Sequence, residues 1–320
     1  MKATARRQRA SVAARLARGG TPSPARLVQP IFVRDGIDGP REIASMPGQY
    51  QHSVVSARAA AAEAAAVGVG GVMIFGIPSA KDEVGAEASD PDGIAQQAIG
   101  AVRDEVGDAL VVIGDINLDE YTTHGHTGVL GPDGDVDNDA SIVRFAEVAV
   151  AQADAGAAMV APSGMMDGQV EAIRRALDAA GHGAVPIMAY AAKFASGFYG
   201  PFREAVESSL TGDRKAYQQY PGNLREALAE ARLDADEGAD ILMVKPALPY
   251  LDVISAVAEA TTLPIAAYQV SGEYLMVEAA ASGGATDRTA AIAECLAAVC
   301  RAGAGTVITY WATEYAASRR

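Results

Sequence analysis

The sequence predicts an α/β protein, a (β/α)₈ TIM barrel preceded by an extended or helical N-terminal arm. Short apolar runs recur along the 320 residues, each followed by polar or Gly-rich residues and then by an Ala-rich helical stretch. These runs lack strict alternation, which is typical of parallel strands covered on both faces. The segments AGAAMVAP, EGADILMVKP and AGAGTVITY share one form, in which a helix end and Gly-Ala precede a strand. Eight such units favour a closed barrel over an open, doubly wound sheet with an appended domain.

The strands and helices follow from this pattern in chain order. Apolar residues dominate the predicted barrel strands, which are residues 27–33, 71–77, 110–116, 157–162, 186–190, 240–244, 264–270 and 306–311. Ala-rich stretches between them predict helices that include residues 56–67, 141–155, 168–180, 224–237, 250–260 and 289–302. Gly238, Gly303 and Gly305 precede strands, where a loop that leaves a helix needs a residue able to adopt positive φ. We therefore expect residues 27–320 to form a catalytic barrel domain.

Composition restricts the classes of partner. The net charge is −14, and a surface this acidic repels phosphate backbones, so nucleic acid is not an expected partner. No run of eighteen apolar residues is present, so no membrane contact is expected. Cys295 and Cys300 form no CxxC motif or disulfide framework and are interpreted as core residues. These features, with no secretory signal, predict a cytoplasmic protein.

Residues 1–26, the predicted arm, carry only positive charge. The basic residues are Lys2, Arg6, Arg7, Arg9, Arg15, Arg18 and Arg26. Such a stretch is either a solvated arm or one that packs on the acidic surface of a neighbouring subunit. The second interpretation predicts contacts within a homo-oligomer.

Two lysines follow apolar strands. Lys245 comes directly after ADILMV, and Lys193 comes after PIMAYAA among aromatic residues. Burial disfavours the ammonium form and lowers a lysine pKa, and a second ammonium nearby lowers it further. A neutral amine attacks carbonyl carbon and forms a Schiff base. Either lysine alone is equally well explained as a snorkelling residue or a phosphate ligand, but adjacent strands five and six bring both to one barrel mouth. We therefore expect Schiff-base chemistry on a small keto- or amino-keto-acid.

Other polar residues should lie at the same mouth, where the active sites of TIM barrels are built. Asp115 ends the third strand and is the candidate catalytic acid, and the long segment after Lys193 is interpreted as a lid. The other residues expected at the mouth are Ser163, Asp167, Tyr190, Phe198, Arg203, Arg214, Lys215, Gln218, Ser271 and Tyr310. Arginines suit carboxylate capture, although Arg214 or Lys215 taken alone is better explained as a solvated charge.

A set of motifs resembles the δ-aminolevulinic acid dehydratase family, also called porphobilinogen synthases. The motifs are SMPG (45–48), FGIP (75–78), DEYTTHGHTG (119–128), APSGMMDGQV (161–170), KFASGFYGPFREA (193–205), GDRKAYQQ (212–219), GADILMVKPALPY (238–250), AYQVSGEY (267–274) and ITYWATEYA (308–316). They cover nearly the whole chain from about residue 27. The resemblance implies a TIM barrel with an N-terminal arm that condenses two 5-aminolevulinate molecules into porphobilinogen. It also implies a homo-oligomer, usually an octamer, with a hexamer or a dimer as alternatives.

The resemblance also implies roles for individual residues. Lys245 would form the Schiff base with the first-bound substrate and Lys193 with the second. Ser271 and Tyr310 would bind the carboxylate of the first substrate. The implied ligands of the second carboxylate are Arg203, Arg214, Lys215 and Gln218, and the substrate contacts also expected are Ser163, Tyr190 and Phe198.

The loop after the third strand departs from many relatives, in which a C-x-C-x₇-C arrangement binds a catalytic zinc. Here those positions are Asn117, Asp119 and Thr127, whose hard donors suit magnesium, potassium or water rather than zinc. We therefore predict no catalytic zinc. His124 and His126 in the same loop are either metal ligands or, as we favour, hydrogen-bonding residues.

A second metal site is implied by relatives that bind an allosteric Mg²⁺ between subunits. Asp167 and Glu230 match its positions, so Mg²⁺ there, or a monovalent cation, is the expected cofactor. The segment DGDVDND (133–139) resembles an EF-hand start but lacks the required glycine and glutamate. We interpret it as a turn in which Asn138 or Asp139 caps the helix from Ser141.

Further departures lie outside the metal loop. Gly164 replaces a common aspartate, Gln51 replaces a common arginine, and Tyr220 and Leu224 replace polar lid residues. They leave two alternatives to the dehydratase: a paralogue that condenses another amino-ketone in specialised metabolism, and a degenerate regulatory subunit.

Overall fold

The computed structural model describes Gln8, Arg9, Ala13 and residues 22–319. In this part of the chain the strands are β1 (Leu27–Arg34), β2 (Arg41–Glu42), β3 (Tyr50–His52), β4 (Gly71–Ile77), β5 (Val111–Ile116), β6 (Met159–Pro162), β7 (Met188–Lys193), β8 (Ile241–Lys245), β9 (Ile265–Tyr268) and β10 (Thr306–Ile308). Strands β2 and β3 form a small antiparallel pair beside the end of β1. The other eight described strands are parallel and almost wholly buried.

These eight strands close into a barrel. Their hydrogen-bonded order is β6-β5-β4-β1-β10-β9-β8-β7. The two end strands meet at a parallel bridge between Val160 and Ile187, where the Val160 amide donates to the Pro186 carbonyl at 3.1 Å. The predicted TIM barrel is therefore confirmed, and the open sheet is wrong.

Helices cover the outside of the barrel. Those within residues 22–319 are α1 (Val54–Ala66), α2 (Ile94–Val106), α3 (Asn138–Asp154), α4 (Gln169–Ala179), α5 (Gly200–Ala205), α6 (Leu224–Glu237), α7 (Leu251–Ala260), α8 (Ser271–Ser282), α9 (Arg288–Arg301) and α10 (Ala312–Ala317). Side-chain oxygens of Ser53, Asp137, Asn223 and Asp287 accept N–H groups at the starts of α1, α3, α6 and α9, as N-caps do. None of these described helices is long and apolar enough to cross a membrane.

Several element boundaries differ from the prediction, among them the start of α3 and the ends of β7 and β10. Asp137 caps α3, so capping by Asn138 or Asp139 is wrong, because the helix already begins at Asn138. Strand β7 extends to Lys193, with a register irregularity between Ala189 and Ala192 that the apolar pattern does not reveal. Strand β10 ends at residue 308, and residues 309–311 form the turn that leads into α10.

Most of the predicted arm, residues 1–7, 10–12 and 14–21, lies outside the described residues. Two of its arginines are described, and both are buried against the same chain. Arg9 donates to the Gly183 carbonyl at 2.7 Å and to Asp240 at 3.2 Å. Arg26 donates to the carbonyl oxygens of Ala304 and Gly305, which precede β10. Neither is therefore a solvated charge, and both guanidinium groups bond to this chain's own barrel.

Candidate active site

The two lysines lie side by side at the barrel mouth. Lys193 and Lys245 are the last residues of neighbouring strands β7 and β8, and their Cα atoms are paired in register. Their exposed fractions are only 4% and 6%. The Lys245 Nζ lies 4.3 Å from the ring centroid of Tyr268, and both Nζ atoms lie within 6 Å of the Tyr190 ring centroid. Both amines therefore enter one largely apolar pocket, as the strand pattern predicted.

Burial lowers the pKa of both lysines. The pKa of Lys193 falls to about 7, chiefly through burial and then through the positive charges of Lys245 and Arg214. The pKa of Lys245 falls to about 8 through burial, although the carboxylates of Asp115 and Asp119 oppose the shift. A large share of Lys193 is therefore the free amine near neutral pH, which is the form that attacks carbonyl carbon.

Asp115 lies close to both amines and is held by two hydroxyl groups. Its carboxylate accepts the Tyr190 hydroxyl at 2.8 Å and the Ser163 hydroxyl at 3.2 Å. The carbonyl oxygen of Ser163 accepts the Lys193 Nζ at 2.6 Å. Burial raises the pKa of Asp115 to about 6, partly offset by the charge of Lys245 and by the Tyr190 hydrogen bond. A carboxyl group with this pKa can exchange protons near neutrality beside the amines.

A cavity of about 260 Å³ opens onto these groups. It brings together many residues singled out in the sequence, namely Asp115, Asn117, Ser163, Lys193, Arg203, Arg214, Lys215, Gln218 and Lys245. Lining residues that the sequence reasoning left out of the site are Phe75, Ala195, Ser196, Gly197, Tyr199, Phe202 and Asp213. Most of these follow Lys193 in the segment ASGFYGPF. The glycines and aromatic residues at the start of the lid are therefore the sequence feature that could have identified them.

The side chains of the lid, residues 194–220, differ in burial and in whether they are already paired. Gln218 is buried, and its Nε2 has no hydrogen-bond partner among the described residues, so it is available to a ligand. Arg203 and Lys215 are exposed at the rim, and Lys215 pairs with Asp213 at 3.0 Å. Arg214 is already bonded to Asp119 at 2.6 Å. The four predicted carboxylate ligands thus lie on one lid, with only Gln218 both buried and unpaired.

Four predicted substrate contacts do not reach the cavity lining. The Ser271 hydroxyl accepts the Phe202 amide at 2.9 Å, so lid backbone covers it. Phe198 packs against α8, where its backbone contacts Gly272 and its carbonyl accepts the Ser271 hydroxyl at 3.4 Å. The Tyr310 hydroxyl lies 3.3 Å from that of Tyr268. The fourth, Tyr190, donates its hydroxyl to Asp115 at 2.8 Å.

The three side chains of the altered metal loop, Asn117, Asp119 and Thr127, are already bonded to other protein groups. The Asn117 amide donates to Asp119, whose carboxylate pairs with Arg214. Burial opposes ionisation of Asp119, but the charge of Arg214 holds the pKa of Asp119 below its usual range. The Thr127 hydroxyl donates to the Gly164 carbonyl at 3.2 Å. An amide, an ion-paired carboxylate and a donating hydroxyl do not fit zinc, which prefers thiolate and imidazole ligands.

The two histidines of this loop make hydrogen bonds. The His124 Nε2 lies 3.1 Å from the Glu83 carbonyl, and the His126 Nδ1 lies 3.0 Å from the Tyr217 hydroxyl. Among the residues that the structure describes, no group of three or more His, Cys, Asp or Glu side chains could hold a metal ion.

Asp167 and Glu230 lie outside the lysine cavity. Glu230 is on α6, and its pKa is raised chiefly by burial and then by the negative charge of Asp167. Glu226 and Glu237 add to the repulsion. The structure therefore brings the two predicted carboxylates near each other, and their oxygen donors suit Mg²⁺.

Gly164 is constrained by packing. A Cβ at this position would lie 2.3 Å from the ring of Phe145, which is fully buried. We expect Gly164→Asp to lower the free energy of unfolding by about 1–3 kcal/mol, because the ring has to move within a packed core. Urea unfolding measures this loss. Gly39→Ala is the control, since a Cβ there meets nothing within 4 Å. Equal stabilities of the two variants would contradict the expectation.

Known proteins resemble the chain over almost its full length. A family model described as Delta-aminolevulinic acid dehydratase matches residues 2–318. The delta-aminolevulinic acid dehydratase of Mycobacterium tuberculosis is 58% identical over 314 residues, which are 97% of this chain and 95% of the relative. That of Streptomyces coelicolor is 57% identical over 299 residues, with 93% and 91% covered. A solved structure of the Toxoplasma gondii enzyme in complex with its reaction product porphobilinogen has a TM-score of 0.91 at 41% identity, covering 99% of this chain and 92% of that one.

Proposed function

The chain belongs to the delta-aminolevulinic acid dehydratase family of lyases and condenses 5-aminolevulinate to porphobilinogen, and we propose that it does so through Schiff bases on Lys193 and Lys245 without a catalytic zinc. The pairing of the two lysines in register on β7 and β8 carries this proposal. Each amine would add to the ketone of one substrate and form an imine with loss of water. Neighbouring strands would then hold the two bound ketones close together, which makes their condensation effectively intramolecular.

Asp115 is the proposed proton-transfer group. It is buried beside the lysines, and its raised pKa suits exchange of protons during imine formation and condensation. Tyr190 and Ser163 would orient it, because their hydroxyl groups bond to its two oxygens.

The lid is the proposed site of the second substrate's carboxylate. Arg203, Arg214, Lys215 and Gln218 all line the cavity, and their N–H groups are donors that suit a carboxylate. Ser271 and Tyr310 would hold the first substrate's carboxylate after residues 198–202 of the lid move, since their backbone now covers Ser271.

We expect chelation to leave pyrrole formation within about twofold of its untreated value, because the zinc positions hold hard donors that are already bonded to protein. The measurement is steady-state pyrrole formation from 5-aminolevulinate, with and without a zinc chelator. Re-addition of zinc to the treated protein is the control. Activity that chelation abolishes and that zinc alone restores would contradict the proposal.

A homo-oligomer with Mg²⁺ between subunits completes the proposal, with the octamer favoured over a hexamer or a dimer. The proximity of Asp167 and Glu230 outside the barrel supports a Mg²⁺ site, and a monovalent cation is the alternative ligand. The mass of the particle in solution, measured with and without Mg²⁺, tests both parts.

A further inference from the structure

Glu207 adopts a backbone conformation that is rare for a residue with a side chain. Its φ is +51°, in the left-handed region that favours glycine. It lies two residues beyond α5, in the part of the lid between Arg203 and Arg214. Such a conformation persists when the surrounding contacts hold it in place.

Contacts from four places on the barrel rim provide this hold, one of them a looser ion pair of 3.8 Å between Arg41 of β2 and the Glu207 carboxylate. The Arg34 guanidinium binds the Glu207 carboxylate through two hydrogen bonds, of 2.7 and 3.2 Å. The Gln51 amide donates to the same carboxylate at 3.3 Å. The Lys81 ammonium donates to the Glu207 carbonyl at 2.7 Å. Arg34 ends β1, Gln51 lies on β3, and Lys81 follows β4, so one lid residue is tied to four elements in all.

We call Glu207, Arg34, Gln51 and Lys81 the lid clamp. Gln51 strengthens it, because its amide also donates to the carbonyl of Ala205, the last residue of α5, at 2.9 Å. The side chains of Arg34 and Glu207 are 22% and 37% exposed, and partly solvated ion pairs add little to global stability. The clamp's main physical consequence is therefore a fixed position of the lid relative to the barrel.

We propose that Glu207 is a positioning residue, which holds Arg203 over the lysine cavity by anchoring the lid segment that follows α5, whereas Arg214 has its own anchor in Asp119. Glu207 acts through Arg203, since it does not line the cavity itself. The inference rests on the proposed function, in which lid side chains capture the second substrate's carboxylate. Without the anchor, the exposed Arg203 samples positions away from the cavity, and substrate capture weakens while the lysine chemistry is retained.

Glu207→Gly tests the clamp, because it removes the carboxylate and also the side chain that disfavours positive φ. We expect the KM for 5-aminolevulinate to rise about tenfold and kcat to fall less than about threefold, as when an interaction equal in ground and transition states is lost. We also expect faster trypsin cleavage after the exposed Lys215, with an unfolding temperature close to that of the unaltered protein.

Glu204→Gln is the matched control, since it removes the charge of a neighbouring exposed lid carboxylate that lines the same surface cavity as Arg34, Gln51 and Glu207 but forms no ion pair with Arg34 among the described residues. It should keep the original KM. Arg34→Gln, which removes the guanidinium that makes two hydrogen bonds to the Glu207 carboxylate, should raise KM in the same direction as Glu207→Gly. An unchanged KM in Glu207→Gly, or an equal increase in Glu204→Gln, would overturn the inference. Absence of pyrrole from the unaltered protein would instead overturn the proposed function.

Discussion

Lys245→Met is expected to lower kcat for pyrrole formation by at least about 10⁴-fold, because the thioether cannot form an imine with substrate. The volume and apolar character of methionine keep the pocket filled between the rings of Tyr268 and Tyr190. Lys245→Arg should be equally inactive, since it restores the charge but not the nucleophile. Single-turnover and steady-state pyrrole assays measure the loss.

Borohydride reduction separates loss of the nucleophile from loss of the fold. In the unaltered protein, reduction with 5-aminolevulinate present should add substrate mass to both Lys193 and Lys245, whereas each Lys→Met variant can be labelled only at the remaining lysine. Lys193→Met should still trap the first-bound substrate on Lys245. Pyrrole formation by Lys245→Met at more than about a tenth of the original rate would refute the two-imine proposal.

The barrel and its paired lysines could be predicted because both depend on local pattern. Parallel buried strands give continuous apolar runs, and polar residues at their carboxyl ends meet at one mouth. Lys245, which the pattern placed directly after the strand of residues 240–244, is the last residue of β8. For β7 the pattern placed Lys193 beyond the strand, whereas the register irregularity after Ala189 brings it into register with Lys245.

The contacts of the lid could not be predicted, because they join residues far apart in the chain. Arg214 pairs with Asp119 across 95 positions, and Ser271 meets Phe202 across 69. The sequence indicated that Asp119 offers zinc a poor ligand, yet the guanidinium that neutralises it is visible only in three dimensions. Glu207 has no distinctive sequence context, and its positive φ follows from tertiary contacts with Arg34 and Lys81.

Asp115→Asn is expected to lower kcat about 100-fold, the usual range for loss of a proton-transfer group. It should also move the acidic limb of the pH profile to lower pH. The Asp115 carboxylate raises the pKa of both lysines against the effect of burial, so its removal lets the free amines persist in more acidic solution. The limb that Asp115 itself contributes near its pKa of about 6 disappears as well. Profiles of kcat/KM against pH, compared with the unaltered protein, measure the shift.

Tyr190→Phe is expected to shift the pH profile in the opposite direction. The Tyr190 hydroxyl donates to Asp115 and lowers its pKa, so loss of this bond raises the pKa of Asp115 and moves to higher pH the limb that Asp115 itself contributes. Asp115 stays in place in this variant, and the fall in kcat should be smaller than in Asp115→Asn. Opposite displacements from two substitutions at one hydrogen bond cannot arise from a general loss of stability. If the limb that Asp115 contributes failed to move to higher pH in Tyr190→Phe, Asp115 would not be the group that titrates there.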